Sequence, residues 1–354
     1  MDETSSILTV ADAAARFAPG TGYLAACTMG LPLAETLAAQ RDDLERWTTG
    51  SRSPVAYGDV VERARASYAQ LVGVPVTSVA VGSQTSAMVS VVAAAAPDGA
   101  EVVCVDGDFS SVVFPFLQQA HRGVTVRSVP VGELAEAIGP GTWCVVWSAV
   151  QSATGVVADD ARIRAAASAH GVLTVCDVTQ AAGVLPVDAS SWDVSVGHAY
   201  KWLCCPRGAA FMTLSERALA ELRPVQAGWY AGDSVWSSCY GPAMHLAHDA
   251  RAFDVSPAWP AWPGAAAALE TFARLDAAST WAHASGLGDE LCRRLDLSEQ
   301  HQAIVTWADV DGRAASAMGE AGLTVSARAG RVRVAFHLWN TVEDVEAVVA
   351  SLGR

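Results

Sequence analysis

Val172-Leu-Thr-Val-Cys-Asp177-Val-Thr-Gln180, followed by Gly197-His-Ala-Tyr-Lys201-Trp-Leu-Cys-Cys-Pro206-Arg-Gly208, decides the reading of this chain. An apolar run ends in a carboxylate, and 24 positions later stands a lysine, the only one in the sequence. A carboxylate at the end of an apolar strand is costly unless a cation meets it. Every other long basic side chain is arginine. A guanidinium cannot form a Schiff base, so the one retained amine points to chemistry.

Outward from this stretch, strand-like and helical segments alternate. Ser78–Gly82, Glu101–Asp106, Val124–Pro130, Thr142–Val150, Val172–Val178, Asp193–His198 and Ala209–Leu214 read as strands. Thr85–Ala96, Ser110–His121 and Asp160–His170 read as helices. Near-continuous apolar strands between helices predict an α/β fold with a largely parallel sheet covered on both faces. Ligands on such sheets sit at the carboxyl ends of the strands. Tyr230–Pro263 is rich in Trp, Pro, Gly and Ser and reads as long loops. Ala265–Leu275 is a helix candidate, and the chain closes with a strand at Arg331–Leu338 and a helix at Val342–Leu352, capped by Asn340 or Thr341. These imply a large domain over 20–240 and a smaller α+β domain from 1–19 and 241–354.

The acid, the amide and the lysine are what an enzyme needs to hold pyridoxal 5′-phosphate (PLP). Lys201 supplies the amine, Asp177 keeps a ring nitrogen protonated, and Gln180 donates to a phenolic oxygen. Gly82-Ser83-Gln84-Thr85-Ser86 follows a strand and opens a helix, which suits a phosphate. His198 and Tyr200 are further phosphate donors. A surface lysine, an aspartate capping a turn and a plain N-cap are the structural alternatives.

The 354 residues are 51% apolar and 17% charged, with a net charge of −14. That profile is globular and argues against a nucleic-acid partner. The acidic start Met-Asp-Glu-Thr-Ser-Ser does not read as a signal peptide, and the apolar run near Met88–Ala96 is too short for a membrane span. Eight cysteines without CxxC pairs suggest buried thiols in a reducing cytoplasm. His245-x-x-His248-Asp249 has metal-like spacing but no companion ligands, so no metal is expected. There is no GxGxxG after a strand, which disfavours a nicotinamide enzyme.

The segments Asp177-x-x-Gln180-x-x-Gly183-x-x-Pro186-x-Asp188, Lys201-Trp202-Leu203-x-x-Pro206-x-Gly208 and Val332-Arg333 through Asn340-Thr341-x-x-Asp344-Val345 resemble the class V aminotransferase family of fold-type I PLP enzymes. That family includes cysteine desulfurases, kynureninase and isopenicillin N epimerase-like proteins. The resemblance covers roughly residues 20–350. It implies a mainly parallel seven-stranded sheet between helices, with a smaller α+β domain. It makes Lys201 the Schiff-base lysine, pairs Asp177 with the ring nitrogen and places Gln180 at O3′. Ser83, Gln84 and Thr85 fall in the phosphate cup and Phe109 stacks on the ring, core packing being the alternative for Phe109. It implies that Arg333 grips the substrate α-carboxylate, with Arg331 as fallback, and that Ser256 reaches the phosphate of a neighbouring subunit in a homodimer.

The chain also departs from the family. The loop Thr324–Arg331 lacks the desulfurase cysteine, so persulfide chemistry is doubtful, although Cys204, Cys205 and Cys239 stand near the expected site. Ser152 replaces an asparagine, and Tyr200 replaces a histidine. The leading expectation is a PLP enzyme acting at Cα or Cβ of an amino acid, first a side-chain lyase such as a C–S β-elimination enzyme. An aminotransferase comes next. An epimerase would need a second acid/base such as Tyr240, His245 or His248. An inactive PLP-fold scaffold is the non-enzyme alternative.

Overall fold

The computed structural model describes residues 7–18 and 22–354, so Met1 to Ser6 lie outside it. Seven strands form the main sheet: β1 (Val79–Gly82), β2 (Glu101–Val105), β3 (Thr125–Val129), β4 (Thr142–Ser148), β5 (Leu173–Asp177), β6 (Val194–His198) and β7 (Ala210–Leu214). Their order is β1-β7-β6-β5-β4-β2-β3. The β2/β3, β2/β4, β4/β5 and β5/β6 pairs are parallel, and only β7 runs antiparallel to its neighbours β1 and β6.

Every residue of β1, β5, β6 and β7 is buried. This is the burial a parallel sheet between two helical layers requires. Successive side chains alternate between the two layers. Val103, Val105, Val145 and Trp147 enter the core that also holds Trp202, Phe211 and Trp262. Val102, Cys104, Cys144 and Val146 enter the opposite core, with Met88, Val92 and Phe116.

The helix read as Ser110–His121 is α-helical only to Leu117 and continues as a 3-10 turn to Arg122. Pro115 removes one backbone donor inside it. The helix near Ala265 begins earlier, at Trp262, and ends at Phe272. Three long helices, Ala34–Thr48, Pro54–Leu71 and Ala277–Arg294, were not expected from the sequence.

A second sheet holds β8 (Ile304–Ala308), β9 (Ser326–Arg328) and β10 (Arg331–Ala335) in the antiparallel order β8-β10-β9. The last strand stops at Ala335 rather than Leu338, because Asn340 Oδ1 accepts from His337 N at 2.9 Å and turns the chain. Thr341 then opens the final helix with a capping box to Asp344. Tyr23 and Ala25 bridge to Thr324 and Ala335, so the chain near residue 25 runs beside this smaller sheet.

The parallel register sets the site. Ser148 lies opposite Asp177, and Asp177 opposite Val196. The carboxyl ends of β4, β5 and β6 therefore deliver Ser148, Asp177 and His198 to one edge of the sheet.

Candidate active site

Three strand ends and two loops enclose one pocket. It is lined by Gln84, Thr85, Ser86, Phe109, Ser111, Ser148, Ser152, Asp177, Thr179, Gln180, His198, Tyr200, Lys201 and Arg207. Of the residues singled out by sequence, Gln84, Thr85, Phe109, Asp177, Gln180, His198, Tyr200 and Lys201 meet here.

Lys201 follows β6 through Ala199 and Tyr200 and is buried. Burial pulls its ammonium down to about 8, although the charge of Asp177 works the other way. Its Nζ lies 5.4 Å from the Phe109 ring centroid and 5.8 Å from that of Tyr200. The backbone around it is held tightly. Gly30 N donates to Tyr200 O at 3.0 Å, and a Cβ on Gly30 would lie 2.1 Å from Lys201 O. Gly183 has φ +100°, and a Cβ there would come within 2.7 Å of Trp202 O. Cys204 completes the turn at φ 54°, an unfavourable conformation for a residue with a Cβ.

Asp177 closes β5. Thr179 N donates to its Oδ1 at 2.8 Å, and burial pushes the carboxyl up to about 6 against that bond and the charge of Lys201. Gln180 is fixed at both ends of its amide. Trp202 Nε1 donates to Gln180 Oε1 at 2.7 Å, and Gln180 Nε2 donates to Cys27 O at 3.0 Å. His198 has a buried Nε2 with no partner among the described residues. Burial, with the charges of Arg207 and Lys201, lowers this histidine to about 4, so it is neutral near pH 7. Its ring meets Tyr200 edge-on at 4.4 Å.

Asp108, which sequence reading passed over, organises the opposite wall. Its Oδ1 accepts from Phe109 N at 2.7 Å and Ser148 Oγ at 2.5 Å, and its Oδ2 accepts from Ser148 N at 2.8 Å. Arg207 was also missed. Its guanidinium lies 4.8 Å over the Tyr200 ring. Its place after Lys201 was a local signal; Asp108 carried none beyond its neighbour Phe109.

Three expected residues lie off the pocket wall. Ser83 precedes the lining residue Gln84. Arg333, on β10, is only 2% exposed and sits one layer behind. Its guanidinium donates to the Ser152 carbonyl, to Ser326 Oγ at 3.1 Å and to Thr28 Oγ1 at 3.2 Å. Arg331 turns to Thr306 instead. Ser256 is exposed, on a segment tied to β1 by Val255 N donating to Val81 O at 3.2 Å. Asp254 anchors that segment to the buried Arg65 at 2.7 Å. Tyr240, His245 and His248 are exposed and line no part of the pocket. Cys204 and Cys205 are buried away from the pocket wall, with thiols pushed up by burial, and Cys239 is exposed.

The profile of the family described as Aminotransferase class-V matches residues 50–319. The chain belongs to the class V aminotransferase family. Isopenicillin N epimerase of Streptomyces clavuligerus is 31% identical over 185 residues, 47% of this chain and 46% of that protein. Kynureninase of Deinococcus radiodurans is 29% identical over 270 residues, 73% of this chain and 65% of that protein. The matches thus span about half to two thirds of these curated relatives. A solved complex of the cystine C–S lyase C-DES with cysteine persulfide superposes with a TM-score of 0.85 at 20% identity, over 94% of this chain and 97% of that one. The shared architecture is PLP fold type I.

Enzymes of this class V family depend on PLP. The residues present fit that cofactor. A buried carboxylate and a buried amine share the pocket, an unpartnered histidine nitrogen lies beside them, and the helix Thr85–Ala94 starts there without a side-chain cap.

Proposed function

We propose that this chain is a PLP-dependent side-chain lyase that acts on an amino acid at Cα and Cβ. PLP, when bound, supplies an aldehyde for an amine and a ring that draws electrons from the substrate Cα. The first backbone N–H groups of the helix Thr85–Ala94, with the Thr85 and Ser86 hydroxyls and His198 Nε2, bind the phosphate. Asp177 holds the proton on the ring nitrogen, and the Gln180 amide donates to the phenolic oxygen. The Phe109 ring covers one face of the site and excludes water from it.

Arg333 binds the substrate α-carboxylate, a task suited to its planar fork. Its guanidinium holds the carbonyl of Ser152, which lines the pocket, so it lies directly behind the wall. Lys201 then takes the proton from Cα. An amine with a pKa of about 8 has a free-base fraction near neutral pH, which an ordinary lysine lacks.

The observation that carries the lyase reading is that no second acid/base candidate read from the sequence lines the pocket. Lys201 faces the pocket, whereas Tyr240, His245 and His248 are exposed and outside it. Epimerisation needs a second acid/base on the other face. Elimination needs one base and a leaving group, and C-DES, of the same fold, is named as a C–S lyase.

The reading extends to a homodimer, in which the exposed Ser256 reaches the partner's phosphate. It also extends to a reducing, cytoplasmic setting, which suits eight free cysteines. No helix among the described residues is long and apolar enough to cross a membrane.

The test is incubation of the PLP-loaded chain with candidate amino acids. A lyase releases a 2-oxo acid such as pyruvate together with ammonia. Bleaching of the cofactor band to pyridoxamine phosphate without ammonia would overturn the lyase in favour of an aminotransferase. Failure to bind PLP, or a borohydride-reducible adduct that survives Lys201→Ala, would overturn the enzyme reading itself.

A further inference from the structure

Three arginines act on Lys201 or Tyr200 through contact or charge, and among the described residues each bonds only neutral groups. Arg333 donates to a carbonyl and two hydroxyls, Arg207 stacks on Tyr200, and Arg328 donates to Ala327 O at 2.7 Å. The nearby acids are occupied. Asp108 is filled by Phe109 and Ser148, and Asp177 takes a bond from Thr179. In a chain of net charge −14, such a concentration of free cations implies anions brought by ligands.

On the function proposed above, two of these cations have a partner. Arg333 takes the α-carboxylate, and Arg207, beside His198 and Tyr200, flanks the phosphate end. Arg328 is left over. It lies on β9 two residues from Ser326, so the two side chains share a face of the strand. Ser326 Oγ accepts from Arg333 Nε at 3.1 Å, which places that face against the carboxylate anchor. The pairing partner of Arg328, Arg331, is engaged with Thr306, so Arg328 is exposed and among the described residues has no acidic partner. Burial dominates the pKa shifts of Tyr200, Lys201 and Arg333, raising the first and lowering the other two, and the charge of Arg328 adds a lesser downward pull on each.

We propose that Arg328 receives an anionic group at the far end of the substrate side chain, so that the group eliminated ends in a carboxylate or a comparable anion. The binding claim rests on the PLP reading, and only the identity of the leaving group rests on the lyase reading.

Two nearly isosteric probes separate these claims: S-(2-carboxyethyl)-L-cysteine and its uncharged analogue S-(2-carbamoylethyl)-L-cysteine. Dissociation constants are read from the change in cofactor absorbance of the PLP-loaded full chain, independently of turnover. The acid is expected to bind at least about tenfold more tightly than the amide, as a charge-assisted contact provides. Arg328→Gln should bring that ratio to about one by weakening the acid alone, and Arg328→Lys should keep most of it. High salt should shrink the preference. Equal binding of the two probes by the parent chain, or an equal loss of both in Arg328→Gln, overturns the proposal. Pyruvate release is measured in parallel. Probes that bind with the expected preference but release none sink the lyase reading and leave the anion site standing.

Discussion

Trp202 Nε1 donates to Gln180 Oε1 at 2.7 Å, and this one bond decides which way the Gln180 amide points. An indole nitrogen is a donor only, so the oxygen of Gln180 must face it and the NH2 must face away. One N–H goes to Cys27 O. The other is left for the pocket that Gln180 lines, where the function proposed above gives it a phenolic oxygen. The Trp202 carbonyl is itself held by His337 Nε2 at 2.8 Å, and burial lowers this histidine to about 3, keeping it neutral. The residue after Lys201 thus ties the turn that follows the small sheet's last strand to the Gln180 amide.

Trp202→Phe keeps an aromatic ring and removes the N–H. The buried Gln180 oxygen then lacks a donor, at a cost of about 1–3 kcal/mol. We expect a lower urea midpoint, together with several-fold weaker PLP binding by absorbance titration. A variant that loses stability but keeps full PLP affinity would show that the bond is structural only.

The amine of Lys201 predicts a pH profile. Its ammonium is held near 8, so the free amine is in place by about pH 9, whereas an ordinary lysine would still be titrating above 10. The rate of PLP capture by the apo chain, followed by absorbance, should therefore level off above pH 8 to 9. Asp177 raises this pKa, so Asp177→Asn should move the midpoint lower. A rate still climbing at pH 10 would contradict the burial argument.

Much of this arrangement was legible in the chain and some was not. Strands such as Leu173–Asp177 showed themselves because both faces are buried, which leaves an unbroken apolar run. Lys201 and Asp177 were legible because each stands at or just past such a run, His198 because it shortly precedes that lysine, and Phe109 through the family resemblance alone. The helix Ala34–Thr48 was missed because it buries little more than Thr36 and Asp43, whereas Ala277–Arg294 does carry a stripe at helical spacing (Thr280, Ala284, Leu287, Leu291, Cys292) that went unread. Asp276, whose side chain accepts from Ser279 N, was a start signal that could have been read. Gly30 was out of reach for another reason. It is far from Lys201 in sequence, and only the tertiary fold lays one against the other.

Asp177 carries a stability prediction whose sign follows from its shift. Its folded-state pKa is raised from 3.8 to about 6, so the charged form is disfavoured in the folded chain. The penalty is absent below about pH 4, grows as pH rises towards 6 and is constant above. A shift of about two units corresponds to up to about 3 kcal/mol. Asp177→Asn should stabilise the apo chain by that order at pH 8 and by nothing at pH 3.5, while abolishing firm PLP retention. Urea midpoints at both pH values check the sign.

Arg65 and Asp254 form a buried pair, 0% and 1% exposed, that also accepts Val81 N and holds the Ser256 segment against β1. Removing one partner strands the other charge in the core, at about 3–5 kcal/mol. Arg65→Met alone should lower the urea midpoint sharply, and Arg65→Met with Asp254→Leu should recover much of the loss. The double variant should still lose Ser256's register. If the homodimer shares its sites through that residue, PLP affinity should stay low even where stability returns.

Gly30 and Gly58 make a matched pair of tests. Gly58 lies inside the helix Pro54–Leu71 with no atom near an added Cβ, so Gly58→Ala should stabilise by about 0.5–1 kcal/mol through helix propensity. A Cβ on Gly30 would instead meet Lys201 O at 2.1 Å and Cys204 Cα at 2.9 Å. Both are backbone atoms, so no side-chain rotation relieves the clash and the lysine loop itself must move. Misplacing a catalytic amine by about 1 Å can cost on the order of a hundredfold in rate. We therefore expect Gly30→Ala to slow turnover and PLP capture together, beyond what its fall in urea midpoint explains. Normal PLP capture in Gly30→Ala would mean that the loop has slack, and that the close approach is not what positions Lys201.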